Sequence, residues 1–228
     1  MEFDYLQTNG PGDIPLRMTV RNGIVEVLRS PESPREGQPI GLFRGPVSTG
    51  FLEALERDLP AHAPAGGPPA GGPMPVTQIR FVSARRSVNF ETVSAPAPIL
   101  KLIRQEADRV PAVRALQIDL RQLSPDRTSI EARVTNRGSE AISLEGSTLK
   151  VFGLQQGSRK LLGTLDAAAG LDVASSSHRD IPIPVNFPAS GEWLILVEYS
   201  MPAAVAARDP QKRVAGATSS PRTTVHLP

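Results

Sequence analysis

The sequence predicts a small α+β domain in residues 1–111, followed by an all-β sandwich in residues 112–228. The first half alternates strand-like segments with two helical patterns, whereas the second half contains short segments with apolar residues at every other position. The 228 residues, of which 39% are hydrophobic, suffice for one large domain or for two small ones, each with its own core. We therefore expect a small antiparallel sheet covered by two helices, and then two packed sheets.

Strand and turn signals open the first half. Leu16–Val20 alternates apolar and polar residues, Asn22 and Gly23 form a dipeptide that accepts positive φ, and Ile24–Leu28 alternates again. Together they predict a β-hairpin. Residues 31–46 are rich in proline and glycine, so we expect an irregular loop there.

A short amphipathic helix is predicted over residues 47–59. Its apolar residues recur at helical spacing, Ser48 is a suitable N-cap, and Pro60 ends the pattern. We expect its apolar stripe to pack on the hairpin. Residues 61–75, rich in glycine and proline, predict a loop. A phosphate cradle is not expected there, because proline lacks the N–H donor that a cradle needs.

Two further strands and a second helix complete the first half. Residues 76–93 alternate as strands on either side of Ala84–Arg86. Residues 96–110 place apolar side chains on one helical face, with prolines at the start and Pro111 after the end. The resulting order, β-β-α-β-β-α, predicts helices on one face of a small antiparallel sheet.

The second half contains about seven or eight strand-like segments, the number that an immunoglobulin-like sandwich needs. Pro182 and Pro184 restrict their strand to a sheet edge, because two missing donors are not tolerated in a central ladder. The predicted strands are 116–121, 129–135, 141–144, 149–154, 160–165, 179–187, 193–199 and 223–227.

Two segments of this half carry a family resemblance. Arg133–Ile142 resembles the V-x-N-x-G-x-x-x-I strand-turn-strand of bacterial immunoglobulin-like accessory domains, and Gly191–Tyr199 resembles their late strand with the pattern G-x-aromatic-x-apolar-x-V-x-Y. The resemblance implies a β-sandwich that serves adhesion, cell-envelope scaffolding or protein docking, without catalytic residues. The inter-sheet disulfide typical of such domains is absent, since the chain has no cysteine. The start of the chain and its first helix are also similar to small bacterial protease-inhibitor-like domains.

Composition excludes several function classes and leaves the compartment open. The formal net charge of +2 is too small for a nucleic-acid footprint, and no apolar run is long enough to span a membrane. Without cysteine, neither a thiolate nucleophile nor a cysteine-bound metal is expected. The first residues lack a signal-peptide pattern, although a periplasmic or secreted location stays compatible with the sequence. The composition, rich in Ala, Arg and Pro, favours a bacterial source.

No histidine pattern points to chemistry. His62, His178 and His226 are far apart in the sequence, without metal-ligand spacing. His178 and Asp180 lie near serines, but no nucleophile elbow accompanies them, so a hydrolytic triad is not expected.

Carboxylate pairs are equally uninformative. Glu106 and Asp108 diverge on a helix, and Glu53 and Glu56 share a predicted solvent face. We therefore expect no catalytic residue, no cofactor and no metal, and assign no binding residue.

Binding remains as the expected role. The segments 31–46, 61–75 and 202–221 are long and irregular, and such loops on a rigid scaffold often carry recognition. The sequence thus predicts a non-enzymatic protein-interaction or scaffold module with a protein partner and with its oligomeric state open. The alternatives are a protease-inhibitor-like protein that presents a proline-rich loop, and a carbohydrate or cell-envelope binding module.

Overall fold

The computed structural model describes residues 1–8, 14–32, 34–60, 76–93 and 95–227. The protein is mostly β, with large antiparallel sheets, as the sequence predicts. The strands are β1 Glu2–Thr8, β2 Ile14–Arg21, β3 Ile24–Ser30, β4 Arg35–Glu36, β5 Ile40–Pro46, β6 Val76–Val82, β7 Ser87–Thr92, β8 Ala112–Leu123, β9 Ser129–Asn136, β10 Ile142–Ser143, β11 Thr148–Gln155, β12 Ser158–Asp166, β13 Asp172–Val173, β14 Ser177–Pro184, β15 Gly191–Met201, β16 Gly216–Ser219 and β17 Thr223–Leu227. The helices are α1 Phe51–Asp58, α2 Ala97–Arg109 and α3 Ala203–Ala206.

The chain forms two compact units. Unit 1 comprises Met1–Ser30 and Leu42–Ala112, and unit 2 comprises Pro31–Gly41 and Val113–Pro228. The chain therefore passes between the units after Ser30, after Gly41 and after Ala112. A single division between residues 111 and 112 does not describe this path, because Pro31–Gly41 folds with the second unit.

Unit 1 is built on one sheet, in which β5, from Leu42 onward, is followed by β3, β2, β1, β6 and β7. The predicted hairpin of β2 and β3 is confirmed: Arg21 pairs with Ile24, and Asn22 and Gly23 have φ of 51° and 75°. Alternate residues of these strands are buried, among them Phe3, Tyr5, Met18, Val20, Val25, Val27, Ile79, Phe81, Val88 and Phe90.

Both predicted helices of unit 1 are present. Phe51 of α1 packs edge-on against Phe3 of β1, with ring centroids 5.9 Å apart, so the helix contacts the strand next to the hairpin; its packing on the hairpin itself stays a prediction. The predicted N-cap is wrong, however: Gly50, with φ of 82°, occupies that position, and the Ser48 hydroxyl bonds to Glu106 instead. Glycine suits the position because a side chain there would be strained by positive φ.

The predicted loop over residues 31–46 is also wrong, because it contains β4 and β5. Pro39 and Pro46 lie just before and at the end of β5, where a proline does not interrupt the ladder, so their presence gave a misleading signal. Gly41 has φ of 133°, and a Cβ at this residue would lie 2.0 Å from the carbonyl oxygen of Arg114. The close backbone approach within unit 2 therefore requires glycine here.

Unit 2 contains two main sheets around one core, an arrangement consistent with a β-sandwich. One sheet includes β14, β9 and β8, and the other has the order β12, β11, β15, β16 and β4, with β17 also paired to β15. The predicted edge position of the strand with Pro182 and Pro184 is confirmed, since β14 ends its sheet. Both sheets contribute to the core, including Leu116, Ile118, Ile130, Val134, Ile183, Leu149, Val151, Trp193, Ile195 and Tyr199.

Two buried aromatic residues of β15 organise this core. The Trp193 indole donates a hydrogen bond to the Ala189 carbonyl at 3.1 Å, and a Cβ on Gly153 would lie 2.6 Å from the Trp193 ring. Glycine at position 153 is therefore what leaves room for the indole. The hydroxyl of the fully buried Tyr199 donates to the Val214 carbonyl at 3.0 Å, and burial raises the pKa of Tyr199 above its ordinary value.

The buried side-chain amide of Asn136 stabilises the Asn-x-Gly turn that follows β9. Asn136 is 1% exposed, and its Nδ2 lies 2.7, 3.2 and 3.1 Å from the carbonyl oxygens of Glu140, Val173 and Ala174. Its Oδ1 accepts a hydrogen bond from the Gly138 N–H at 2.9 Å. One side chain thus joins the turn after β9 to the segment that follows β13.

Pro31–Gly41 forms the border of the second sheet of unit 2. Strand β4 pairs in parallel with β16, and the Thr218 hydroxyl donates to the Gln38 carbonyl at 2.6 Å. Ile40 is 1% exposed and belongs to the core of this unit. The segment is therefore a part of the unit 2 fold and not a connection.

Replacing Asn136 by alanine should lower the free energy of unfolding of unit 2 by about 3 kcal/mol, because several buried backbone groups lose their partner at once. The fluorescence of Trp193 during urea unfolding measures this, since the single tryptophan lies in the core of unit 2. The matched control is Arg137→Ala at the exposed neighbouring residue, which should change the stability by less than about 0.5 kcal/mol. Equal effects of the two substitutions would contradict the role given to Asn136.

Ile40→Ala should destabilise unit 2 by about 2–5 kcal/mol, because it leaves a cavity in the core. The Trp193 transition in urea should move to a lower concentration. Ile24→Ala is the matched control, because Ile24 is 38% exposed in unit 1. A Trp193 transition that Ile40→Ala leaves in place would show that residues 31–41 do not belong to unit 2.

Candidate functional site

Within the described residues, one face of the unit 1 sheet has no helix packed on it. Because Phe3 and Tyr5 point toward the helices, Asp4 and Leu6 of β1 point to the other side. We call this other side the open face. In the register of the sheet, Asp4 lies between Thr19 of β2 and Arg80 of β6.

A groove of about 610 Å³ lies on the open face. It crosses four strands, with β1 in the centre, β2 on one side, and β6 and β7 on the other. Its lining combines polar and charged groups with a similar area of apolar surface and comprises Asp4, Tyr5, Leu6, Arg17, Arg21, Gln78, Ile79, Arg80 and Asn89. A concave surface of this mixed character is suited to binding a ligand.

One arginine of the groove is fixed by the sheet itself. Arg21 Nη2 donates to both carboxylate oxygens of Asp4, at 2.7 and 2.6 Å, and Nη1 donates to the carbonyl oxygens of Phe3 and Val20. Its Nε lies 3.4 Å from Glu2. Arg21 therefore neutralises Asp4 and has few donors left for a ligand.

The other two arginines of the groove are more accessible. The Arg80 side chain is 56% exposed, and its nearest carboxylate oxygen, on Asp4, is 3.8 Å away. Arg17 is exposed and has no hydrogen bond or ion pair with another residue of the described ranges. Both guanidinium groups can thus bind a carboxylate or a phosphate in two-point geometry.

Charge of the opposite sign lies at the margins of the open face. Glu26 pairs with Thr19 on the β3 side, and Glu91 of β7 accepts a hydrogen bond from Gln78 at 3.0 Å. Asp4 therefore lies in the centre of the groove, Arg17 and Arg80 lie on either side of it, and further carboxylates lie at the margins.

The histidines that the sequence offered are not brought together. His62 lies outside the described residues. His178 and Asp180 share the outer face of β14, but Asp180 accepts two hydrogen bonds from Arg133, both at 2.7 Å, which hold the pKa of Asp180 below its ordinary value. His226 lies 3.7 Å from Glu192 at an exposed position. Across the described ranges, no three metal-ligating side chains form a group.

One of the candidate carboxylates is a buried structural group. Glu106 accepts hydrogen bonds from the backbone N–H and the hydroxyl of Ser48, at 2.8 and 2.5 Å, and from Arg109 at 2.7 Å. Burial by itself raises the pKa of Glu106, but these hydrogen bonds outweigh it and hold the pKa below its ordinary value. Sequence reasoning missed this role, although Glu106 follows Ile99 by seven residues and thus lies on the apolar face of α2.

The proline-rich segments expected to carry recognition are mostly structured. Residues 31–46 hold β4 and β5, residues 202–221 hold α3 and β16, and Val214 within the latter is buried. Residues 61–75 lie outside the described ranges. The prediction that 31–46 and 202–221 are irregular is therefore wrong, because their apolar residues are needed in the core; that they carry recognition stays a prediction.

A second, smaller surface lies on the outside of unit 2. Phe152 of β11 pairs with Leu161 of β12 and with Leu196 of β15, and Leu161 is 55% exposed. The Arg159 guanidinium covers the Phe152 ring, with 3.9 Å to its centroid, and donates to Glu198. The stacked arginine shields the aromatic side chain. The open face of unit 1 is the better candidate, because it is concave and has accessible charges.

Comparisons with known proteins give little guidance. No protein-family model matches the sequence, and no curated protein matches it. Among solved structures, the chain is similar to the crystal structure of DesR, a β-glucosidase from Streptomyces venezuelae in complex with D-glucose, with 13% sequence identity and a TM-score of 0.27. The match covers 50% of this chain and 15% of that chain. A likeness this low supports no conclusion on fold or activity. As to membranes, no helix in the described ranges combines the length and the hydrophobicity of a bilayer span.

Glu106→Gln should lower the free energy of unfolding by about 1–3 kcal/mol at pH 7, because the charge-assisted hydrogen bonds from Ser48 and Arg109 weaken. Since folding lowers the pKa of Glu106, its stabilisation is complete above the pKa of the unfolded chain and is lost as the pH falls through the folded pKa. The difference between wild type and variant should therefore shrink as the pH falls below about 4.3, the pKa of an ordinary glutamate. Thermal unfolding between pH 3 and 8 measures this, with exposed Glu53→Gln as control; a difference that stays constant to pH 3 would contradict it.

Proposed function

We propose that the protein is a non-enzymatic protein-interaction module and that the open face of unit 1 is its binding surface. The groove with two accessible arginines, Arg17 and Arg80, carries the proposal. Arginine is enriched at protein interfaces, since its planar group pairs with carboxylates and backbone carbonyls. A sheet face crossed by several antiparallel strands also gives these side chains a rigid support.

The open face fits a protein partner better than a sugar. Binding of carbohydrate would use exposed aromatic rings, but Phe3, Tyr5 and Phe81 all point into the core of unit 1. The groove instead combines charged groups with aliphatic ones, because Leu6 lies in its floor and Ile24 and Leu28 are exposed on neighbouring β3. This mixture of apolar and charged groups is typical of protein interfaces.

The finer description of the fold belongs to the same proposal. Unit 1 would be an α+β domain that presents the open face, and unit 2 would be an immunoglobulin-like sandwich. The buried Asn136 turn and the core position of Trp193 support this assignment, because they give a structural reason for both motifs of the resemblance. A bacterial source stays a prediction from composition.

Site-specific photo-cross-linking tests the binding surface. A photoreactive amino acid replaces Asn89, which is exposed and lines the groove, and the protein is irradiated in the cells from which it comes. We expect a discrete adduct with another protein, identified by mass spectrometry. The same amino acid at Lys101, exposed on α2, should give no such adduct, because the helix is not part of the open face.

A steric block completes the test. Thr19→Trp places a bulky side chain on the open face beside Asp4, and it should remove the Asn89 adduct whatever chemistry the partner has. If the adduct persists with Thr19→Trp, or if Lys101 gives the same adduct, the open face is not the binding surface.

A further inference from the structure

The geometry points to an extended, acidic segment of a protein partner as the occupant of the groove. Resting on the proposed function, this inference adds the chemistry of the ligand: two carboxylates four residues apart on the same side of an extended chain, one bound by Arg17 and the other by Arg80. An aliphatic residue midway between them would contact Leu6.

The hydrogen bonds of the groove determine which cations are available. Arg21 is held by Asp4, Glu2 and two backbone carbonyls, so it contributes little to a new ion pair. Arg80 has a single distant carboxylate neighbour, and Arg17 has none within the described ranges. An incoming carboxylate would therefore gain most at positions 17 and 80.

The sheet register sets the spacing of the two carboxylates. Arg17 lies opposite Leu6 on one side of β1, and Arg80 lies opposite Asp4 on the other side. The Cα atoms of Arg17 and Arg80 are two strand spacings apart across the sheet and two residues apart along the strands. Their separation is therefore about 12 Å. In an extended chain, residues i and i+4 face the same side and are about 13 Å apart. Acidic residues at i and i+4, with an aliphatic one at i+2, match this spacing.

The groove favours such a segment over a nucleic-acid strand. Asp4 lies between the two accessible arginines and Glu2 is close by, and these carboxylates would repel a continuous row of phosphates. The whole chain carries a net charge of only +2, which provides little long-range attraction for a polyanion. A peptide with two separated carboxylates avoids the repulsion by placing its uncharged residue above the centre of the groove.

Amide side chains can complete the binding of the peptide. Asn89 is exposed and has no hydrogen-bond partner in the described part of the chain, so both its donor and its acceptor are available to a peptide backbone. Gln78 donates to Glu91, but its carbonyl oxygen is not used by that bond. Both residues are on the side of β1 that carries Arg80.

Fluorescence anisotropy with a defined probe tests the inference on the full-length protein. The probe is a fluorescein-labelled peptide with the core Glu-Ser-Leu-Ser-Glu, and the comparison peptide has glutamine in place of both glutamates. We expect the glutamate peptide to bind and its affinity to fall as salt rises from 50 to 300 mM, because ionic screening weakens exposed ion pairs. The glutamine peptide should bind at least about 10-fold more weakly.

Variants assign the effect to residues. Arg17→Gln and Arg80→Gln should each weaken binding of the glutamate peptide about 3- to 10-fold. The matched control Arg104→Gln removes the same charge from exposed α2 and should leave the affinity within about 2-fold. Asp4→Asn should strengthen binding, because it removes a nearby negative charge and releases Arg21. Thermal unfolding confirms that each variant is folded.

Three results would overturn the inference: equal affinity for the two peptides, an effect of Arg104→Gln as large as that of Arg17→Gln, or tighter binding of a 12-nucleotide single-stranded DNA. If the Asn89 adduct forms and responds to Thr19→Trp while the glutamate peptide fails to bind, the acidic ligand is wrong and the proposed function stands. If both experiments fail, the proposed function is wrong as well.

Discussion

The alternation of side chains along β1 is the constraint on which unit 1 depends. Phe3 and Tyr5 are buried toward the helices, so Asp4 and Leu6 necessarily lie on the open face. A shift of the register by one residue would place Asp4 in the core and Phe3 in solvent, at a cost that the burial of two aromatic residues makes prohibitive. The same packing that stabilises the unit therefore also fixes the position of every groove residue on this strand.

Ion pairs within the open face give its arginines different roles. Asp4 is placed so that Arg21 can bind both of its oxygens, whereas Arg80 reaches it only at 3.8 Å. Arg21 thus stabilises the fold locally, and Arg80 and Arg17 remain available to a partner. Two arginines of β2 and one of β6 differ in function because the Asp4 carboxylate on β1 binds only Arg21 closely.

Features that depend on neighbouring residues could be predicted from the sequence, whereas features that depend on residues far apart in the sequence could not. The β2–β3 hairpin could be predicted because Asn22 and Gly23 encode their own turn, and the edge position of β14 because Pro182 and Pro184 lack donors. Strand β5 was missed because prolines next to and at the end of a strand resemble those of a loop.

The groove was missed because it requires the pairing of Asp4 with Arg80, which no local pattern reveals. Glu106 was visible as a polar residue on an apolar helix face, but its partner Ser48 is on a distant loop.

The position of Pro31–Gly41 in unit 2 has a consequence for biosynthesis. The Thr218 hydroxyl bonds to Gln38 across 180 residues of sequence, so this segment leaves the ribosome long before the strand beside which it settles has been made. Closing so long a stretch of chain is slow compared with forming a local hairpin. Completion of the unit 2 core around Ile40 therefore requires β16 to have been synthesised, whereas the β2–β3 hairpin can form as soon as its own residues are available.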